Sequence, residues 1–180
     1  EASRIYTADS GEHIELGRLV KNGTVSILIG NDGDYYISGN PGLEAEIVVE
    51  IADKVKAEVT IENVRLLNKK KLPCIDIGKG SEVVLNLKGD NRLNLGGISV
   101  PEGTGFILRG DGNLGILLDA DEHFGIGNGI NAGHGNLVFE QSGALKIESN
   151  GKIGVCIGSG FGGGINIAGG QYILEMNGDR

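Results

Sequence analysis

"LKGDNRLNL", residues 87–95, is followed by "LRGDGNLGI", residues 108–116, and then by "FEQSGALKI", residues 139–147. Apolar residues hold positions one, seven and nine of all three stretches, and the first two share a basic residue followed by Gly-Asp. Looser copies stand at "IENVRL", residues 61–66, and "IAGGQYI", residues 167–173. Anchored on Ile61, Leu87, Leu108, Phe139 and Ile167, the copies lie 26, 21, 31 and 28 residues apart. A period of that size is the signature of stacked repeats.

A second row lies upstream of these anchors: "CIDIGKG" from Cys74, "GISVPEG" from Gly97, "GIGNGIN" from Gly125 and "CIGSGFG" from Cys156. Within the units the side chains alternate, as Val83, Leu85 and Leu87 do against Val84, Asn86 and Lys88. Alternation of that kind describes strands with one face buried. The fold expected is all-β: a right-handed parallel β-helix (β-solenoid) of about five to seven coils with three short strands per coil. The 33 glycines then serve the corners, where positive φ is needed. Residues 34–180 form the β-helix, and residues 1–33 supply strands that cap or extend its first coil. The segment 43–59 carries Ile47, Ile51, Val55 and Val59 four apart, a helical spacing. Its β-branched content favours two strands joined by a turn at Asp53-Lys54 instead.

Charge narrows the partners. With 24 acidic against 16 basic residues the net charge is −8, which argues against nucleic acid and anionic membrane surfaces. No apolar stretch approaches the ~20 residues of a membrane span, so membrane insertion is not expected. The chain opens on Glu1-Ala2-Ser3 rather than Met, which suggests a processed product or an excised module, and attachment to further modules of a larger extracellular protein is expected. Cys74 and Cys156 occupy equivalent places three coils apart, about 14 Å at the strand spacing, too far for a disulfide. Both are expected to be buried free thiols.

Solenoid stacking turns residues one coil apart into neighbours. The repeat alignment sets Lys88 on Arg109, flanked by Glu62 and Glu140, and sets Asp90 on Asp111 about 5 Å away. Two carboxylates that close repel unless a cation lies between them, and Ca2+ suits an irregular oxygen cage. The competing reading of these Gly-Asp corners, and of Asp32 and Asp34, is a turn in which Asp bonds backbone. The long coil "LDADEHFGIGNGINAGHG", residues 118–135, carries the extra residues of the 31-residue spacing and is expected to bulge. It gathers Asp119, Asp121, Glu122, His123, Phe124 and His134, either as a sugar or metal site or as a solvated loop. No serine can be assigned to a histidine, and no opposed pair of carboxylates stands out.

"GDYYISG", "EIVVEI", "VTIENVRLLN", "CIDIGKGSEVVLNLKGDNRL", "GISVPEGTGFILRGDGNL" and "GIGNGINAGHGNLVFEQSGALKIES" together resemble the extracellular β-helix domains of plant-fibre-degrading Gram-positive bacteria. Those domains are similar in fold to pectate-lyase-like right-handed β-helices, and the resemblance covers roughly residues 34–176. It implies a secreted or cell-surface, non-catalytic module that binds plant cell-wall polysaccharide with bound calcium. Aromatic residues are only 4% of the chain and tryptophan is absent, so an acidic pectic polymer is favoured over cellulose, which stacks on aromatics. On this reading Lys88, Arg92, Arg109, His123, Phe124 and His134 contact carbohydrate, and Asp90, Asp111, Asp119 and Asp121 hold calcium. Two other readings remain: a calcium-dependent lyase acting on uronic-acid polymers, and a structural spacer or adhesin.

Overall fold

The computed structural model describes residues 4–178. The first turn holds β1 (Ile5–Thr7), β2 (His13–Glu15) and the only helix among the described residues, α1 (Leu16–Lys21). The second holds β3 (Ser26–Ile29) and β4 (Gly33–Ser38), and the third β5 (Val48–Ile51), β6 (Lys56–Glu62) and β7 (Arg65–Leu67). Next come β8 (Ile75–Ile77), β9 (Glu82–Lys88) and β10 (Asp90–Asn94), then β11 (Ile98–Ser99), β12 (Gly105–Gly110) and β13 (Asn113–Leu118). The last two turns are β14 (Glu122–Gly127), β15 (Asn136–Phe139) and β16 (Ala144–Ser149), then β17 (Ile153–Gly158), β18 (Ile165–Ile167) and β19 (Gln171–Met176).

From β5 onward every third strand stacks, and before it every second one does. Sheet A runs β1-β3-β5-β8-β11-β14-β17, sheet B runs β2-β4-β6-β9-β12-β15-β18, and sheet C runs β7-β10-β13-β16-β19. All these pairings are parallel, giving about six turns of a parallel β-solenoid. The segment with helical spacing forms β5 and β6, and Lys54 turns the chain between them at φ 59°. Residues before Asp34 also belong to the stack, since β2 pairs with β4 and β3 with β5.

The core is a set of ladders. In sheet A, Ile27, Val49, Ile75, Ile98, Ile126 and Ile157 stack in register. The preceding positions are therefore Cys74, Gly97, Gly125 and Cys156, the row expected from the sequence, with the thiols three coils apart and free. In sheet B, Leu85, Leu108, Phe139 and Ile167 form one inward row. Like residues meet like residues at the ~4.8 Å strand spacing, which removes apolar area from water along the whole axis.

The register corrects one alignment. Ile61 pairs with Leu87 and Leu108 with Phe139 and Ile167, as the repeats suggest, but Leu87 pairs with Gly110. Leu108 lies against Leu85, so that turn advances by 23 residues rather than 21. A slip of two leaves every side chain on its own face, and hydrophobic alternation cannot detect it. Consequently Lys88 is not stacked on Arg109, whose neighbour is Asn86. Asp90 likewise sits beside Asn113, not Asp111.

That corner is held from coil to coil. The Asp90 N–H donates to Asn63 Oδ1 at 3.0 Å, and Asn113 Nδ2 donates to Asp90 Oδ1 at 2.9 Å. The Ala144 N–H then donates to Asn113 Oδ1 at 2.9 Å. Inside the corner, Asn91 is 4% exposed and occupies the inward row of Leu114. Its Oδ1 accepts the Val64 N–H at 2.9 Å, and its Nδ2 donates to the Lys88 and Asn113 carbonyls at 3.0 and 3.3 Å. Asn91→Ala strands these buried backbone groups, so denaturant unfolding should show a loss of about 2–4 kcal/mol.

Candidate functional site

Strand alternation puts a continuous set of polar side chains on the outer face of sheet B. The register aligns His13, Tyr36, Thr60, Asn86 and Arg109 in one row, and Glu140 extends it just past β15. Six positions at the strand spacing span about 24 Å. A parallel second row holds Glu15, Ser38, Glu62 and Lys88. On the other side runs Asp34, Glu58, Val84, Ile107 and Val138, whose last three members form a half-buried apolar strip.

These groups are organised by one another. The His13 and Tyr36 rings stack with centroids 4.5 Å apart and planes at 25°. His13 Nε2 meets Ser38 Oγ at 2.8 Å, and the Tyr36 hydroxyl donates to the Glu62 carboxylate. Lys88 Nζ lies 5.7 Å from the centre of the Tyr36 ring, a cation–π distance. Further along, Arg109 Nε donates to Glu140 Oε1, and its Nη1 lies 3.8 Å from Glu58 Oε1. The face thus carries fixed hydrogen-bonding groups beside an apolar strip.

The other expected residues go elsewhere. Arg92 is on sheet C beside Arg65, and its Nε donates to Asn94 Oδ1 at 3.0 Å. His134 is 4% exposed with Nδ1 2.6 Å from the Gly135 carbonyl, so it cannot present itself to a polymer. His123 is half-buried, with Nδ1 2.7 Å from the Ala120 carbonyl and Nε2 against Ser149 Oγ. Phe124 lines a cleft of about 250 Å³ with Leu72, Leu95, Leu118, Ile130 and Val155. The expected bulge is confined to residues 128–135, because β14 lies within sheet A.

The carboxylates expected to bind calcium do not form one cluster among the described residues. Asp119 pairs with Lys71 Nζ at 3.1 Å, and Asp90 is committed to its asparagine ladder. Asp32 accepts the Lys56 N–H at 2.9 Å in the turn role. Among the described residues no group of three or more His, Cys, Asp or Glu could hold a metal ion. The acidic pairs that the register does stack are Asp34–Glu58 on sheet B, Glu50–Asp76 on sheet A and Glu148–Glu175 on sheet C. Burial, and then the Glu50 charge, raise the Asp76 carboxyl above its ordinary range.

Sequence reasoning missed His13 because residues 1–33 read as a cap, and so missed its pairing with Tyr36 of the β-helix proper. The signal was present in their spacing of 23 residues, the same advance as from Leu85 to Leu108.

Both thiols are free and buried in the folded chain. Burial pushes Cys74 up to about 12 from an ordinary 9.0, against weaker lowering by nearby backbone groups including Asn94, while burial also raises Cys156. Between those two values the unfolded state holds fewer protons than the folded one. Stability is therefore complete below about pH 9 and falls as pH rises toward 12. Urea midpoints measured across that range should fall, and Cys74→Ala should flatten the decline.

Comparison of the chain with family models, with curated proteins and with solved structures returned no match.

Proposed function

We propose that the protein is a non-catalytic polysaccharide-binding module of an extracellular or cell-surface protein, with the polymer laid along the outer face of sheet B. The observation that carries this reading is the unbroken row from His13 to Glu140, flanked by the Val84, Ile107 and Val138 strip. A sugar chain is itself two-sided, with hydroxyl edges for the polar rows and C–H faces for the apolar strip. The likeness of the coils to extracellular β-helix domains supports the same reading.

The charges favour a neutral polymer over a pectic one. Arg109 is engaged by Glu58 and Glu140, and Lys88 stands in register with Glu62. With Glu15 and Asp34 on the same face, a polyuronate would meet more carboxylate than base. Calcium is not needed to offset that charge when the ligand is uncharged.

Titration calorimetry with a neutral β-glucan, a xylan and polygalacturonate, each with and without chelator, tests this. The expected result is binding to a neutral polymer, unchanged by chelator and weakened about 10–100-fold by Arg109→Ala through loss of charge-assisted hydrogen bonds. Binding to polygalacturonate alone, or to none of the three, would overturn it. Appearance of unsaturated product would instead establish the lyase reading.

A further inference from the structure

We propose that Asn128 is a modification site, at which the folded chain converts its own asparagine to isoaspartate and aspartate by ring closure onto Gly129. The bulge of residues 128–135 opens on this step. The Gly129 N–H donates to Asn128 Oδ1 at 2.8 Å, and Asn128 Nδ2 donates to the Gly133 carbonyl at 3.0 Å. Among the described residues the Gly129 N–H has no other partner. The carboxamide is therefore folded back over the following peptide nitrogen and pinned there, with that nitrogen beside Cγ. The same hydrogen bond polarises the Cγ carbonyl for attack. A Cβ at Gly129 would meet nothing within 4 Å, so no neighbouring group fills the space beside the attacking nitrogen. Both residues are half-buried, and water reaches them.

The reaction needs only water. The Gly129 nitrogen bonds to Asn128 Cγ and gives up its proton, the Cγ–Nδ2 bond breaks, and Nδ2 leaves as ammonia. Water then opens the five-membered imide at either carbonyl. Opening at the backbone carbonyl leaves the chain running through the side chain, as isoaspartate, and opening at the other leaves aspartate. Nothing is oxidised or reduced. Holding nucleophile and electrophile together is what a folded chain contributes to an intramolecular reaction. Either product replaces a donor by a carboxylate and adds one negative charge to the net −8. It also removes the bond to Gly133 that ties the two ends of the bulge. Gly129 and Ile130 wall the cleft that Phe124 lines, so the conversion remodels that cleft.

The other Asn-Gly steps are held away from this chemistry. The chain has four, at Asn22, Asn128, Asn150 and Asn177. At the end of α1 the Gly23 N–H donates to the Val20 carbonyl at 3.1 Å, which takes that nitrogen away from Asn22. Asn177 Nδ2 donates to Asn150 Oδ1 at 3.1 Å, so those two carboxamides face each other across the turn. A Cβ at Gly151 would lie 1.8 Å from the Ala120 carbonyl oxygen, and one at Gly178 2.0 Å from that of Gly151. Both glycines are thus packed against the preceding coil.

Incubation of the folded 180-residue chain at mildly alkaline pH, followed by digestion and mass spectrometry, tests the proposal. The peptide carrying Asn128 should gain about 1 Da and split into two species, about tenfold faster than the peptide carrying Asn22. In urea-unfolded chain the two sites should convert at similar rates, because the hydrogen bonds that distinguish them are gone. Gly129→Ala should slow conversion at Asn128 about tenfold by crowding the attacking nitrogen, with a thermal melt close to wild type. An unchanged mass at Asn128, equal rates at Asn128 and Asn22 in the folded chain, or conversion at Asn150 ahead of Asn128 would overturn it.

Discussion

Phe139→Ala is expected to lower the free energy of unfolding by about 3–5 kcal/mol, read from denaturant midpoints at constant slope. The ring is fully buried. It fills its row between Leu108 and Ile167, and its edge meets Tyr172 with centroids 6.2 Å apart at 82°. A solenoid core is one residue deep at each level, so a missing ring leaves a void that the coils above and below can close only by breaking register. Ile167→Ala, one level further on, removes a side chain that is already 58% exposed. Its cost should be near 1 kcal/mol. Equal losses at the two positions would mean that the rows do not end where they are seen to end.

The second large effect belongs to "GIGNGIN". Gly127 has φ +145°, and a Cβ added there would lie 1.9 Å from the Gly158 carbonyl oxygen of the next coil. Gly127→Ala therefore demands both an unfavourable backbone conformation and a shift of the neighbouring strand. The expected cost is more than about 3 kcal/mol. Two residues on, a Cβ at Gly129 would meet nothing within 4 Å. Gly129→Ala should stay within about 0.5 kcal/mol of wild type. The contrast separates glycines that the stacking requires from glycines that merely occupy a loop, and thermal melts of the two variants would show it at once.

How far the sequence could be read depended on which structural signal each residue carried. The row Cys74, Gly97, Gly125 and Cys156 was legible because an isoleucine follows the first three glycine or cysteine corners and the fourth alike, and those isoleucines are in register. The β5–β6 segment was legible because β-branched residues outweigh a four-residue spacing that also suits a helix. The partner of Leu87 was not legible. "LKGD" and "LRGD" look equivalent, yet Gly110 takes the place opposite Leu87 at φ +100°. A side-chain added there would lie 2.3 Å from the Leu87 carbonyl oxygen, so the corner selects glycine while the alternating strand accepts either register. That two-residue difference separates Lys88 from Arg109 and Asp90 from Asp111.

The candidate face was legible in part. Lys88 and Arg109 do lie on one sheet, but the stacked His13–Tyr36 pair joins two turns, and its only trace in the sequence is the 23-residue spacing. Arg92, three residues after Gly89, belongs to another sheet because the chain turns at that glycine, φ +63°.

Everything argued for the outer face rests on which residues adjoin across turns, and disulfide trapping reads this directly. In a Cys74→Ala, Cys156→Ala background, the pair Asn86→Cys with Arg109→Cys places two thiols on directly opposed positions of β9 and β12. Their Cα separation of about 4.8 Å lies within the range that a disulfide spans. Lys88→Cys with Arg109→Cys sets the thiols two residues out of register, roughly 8 Å apart and beyond that range. Mild oxidation should crosslink the first pair within a chain and leave the second reduced. Crosslinking of the second pair in preference to the first would contradict the stacking described for this protein.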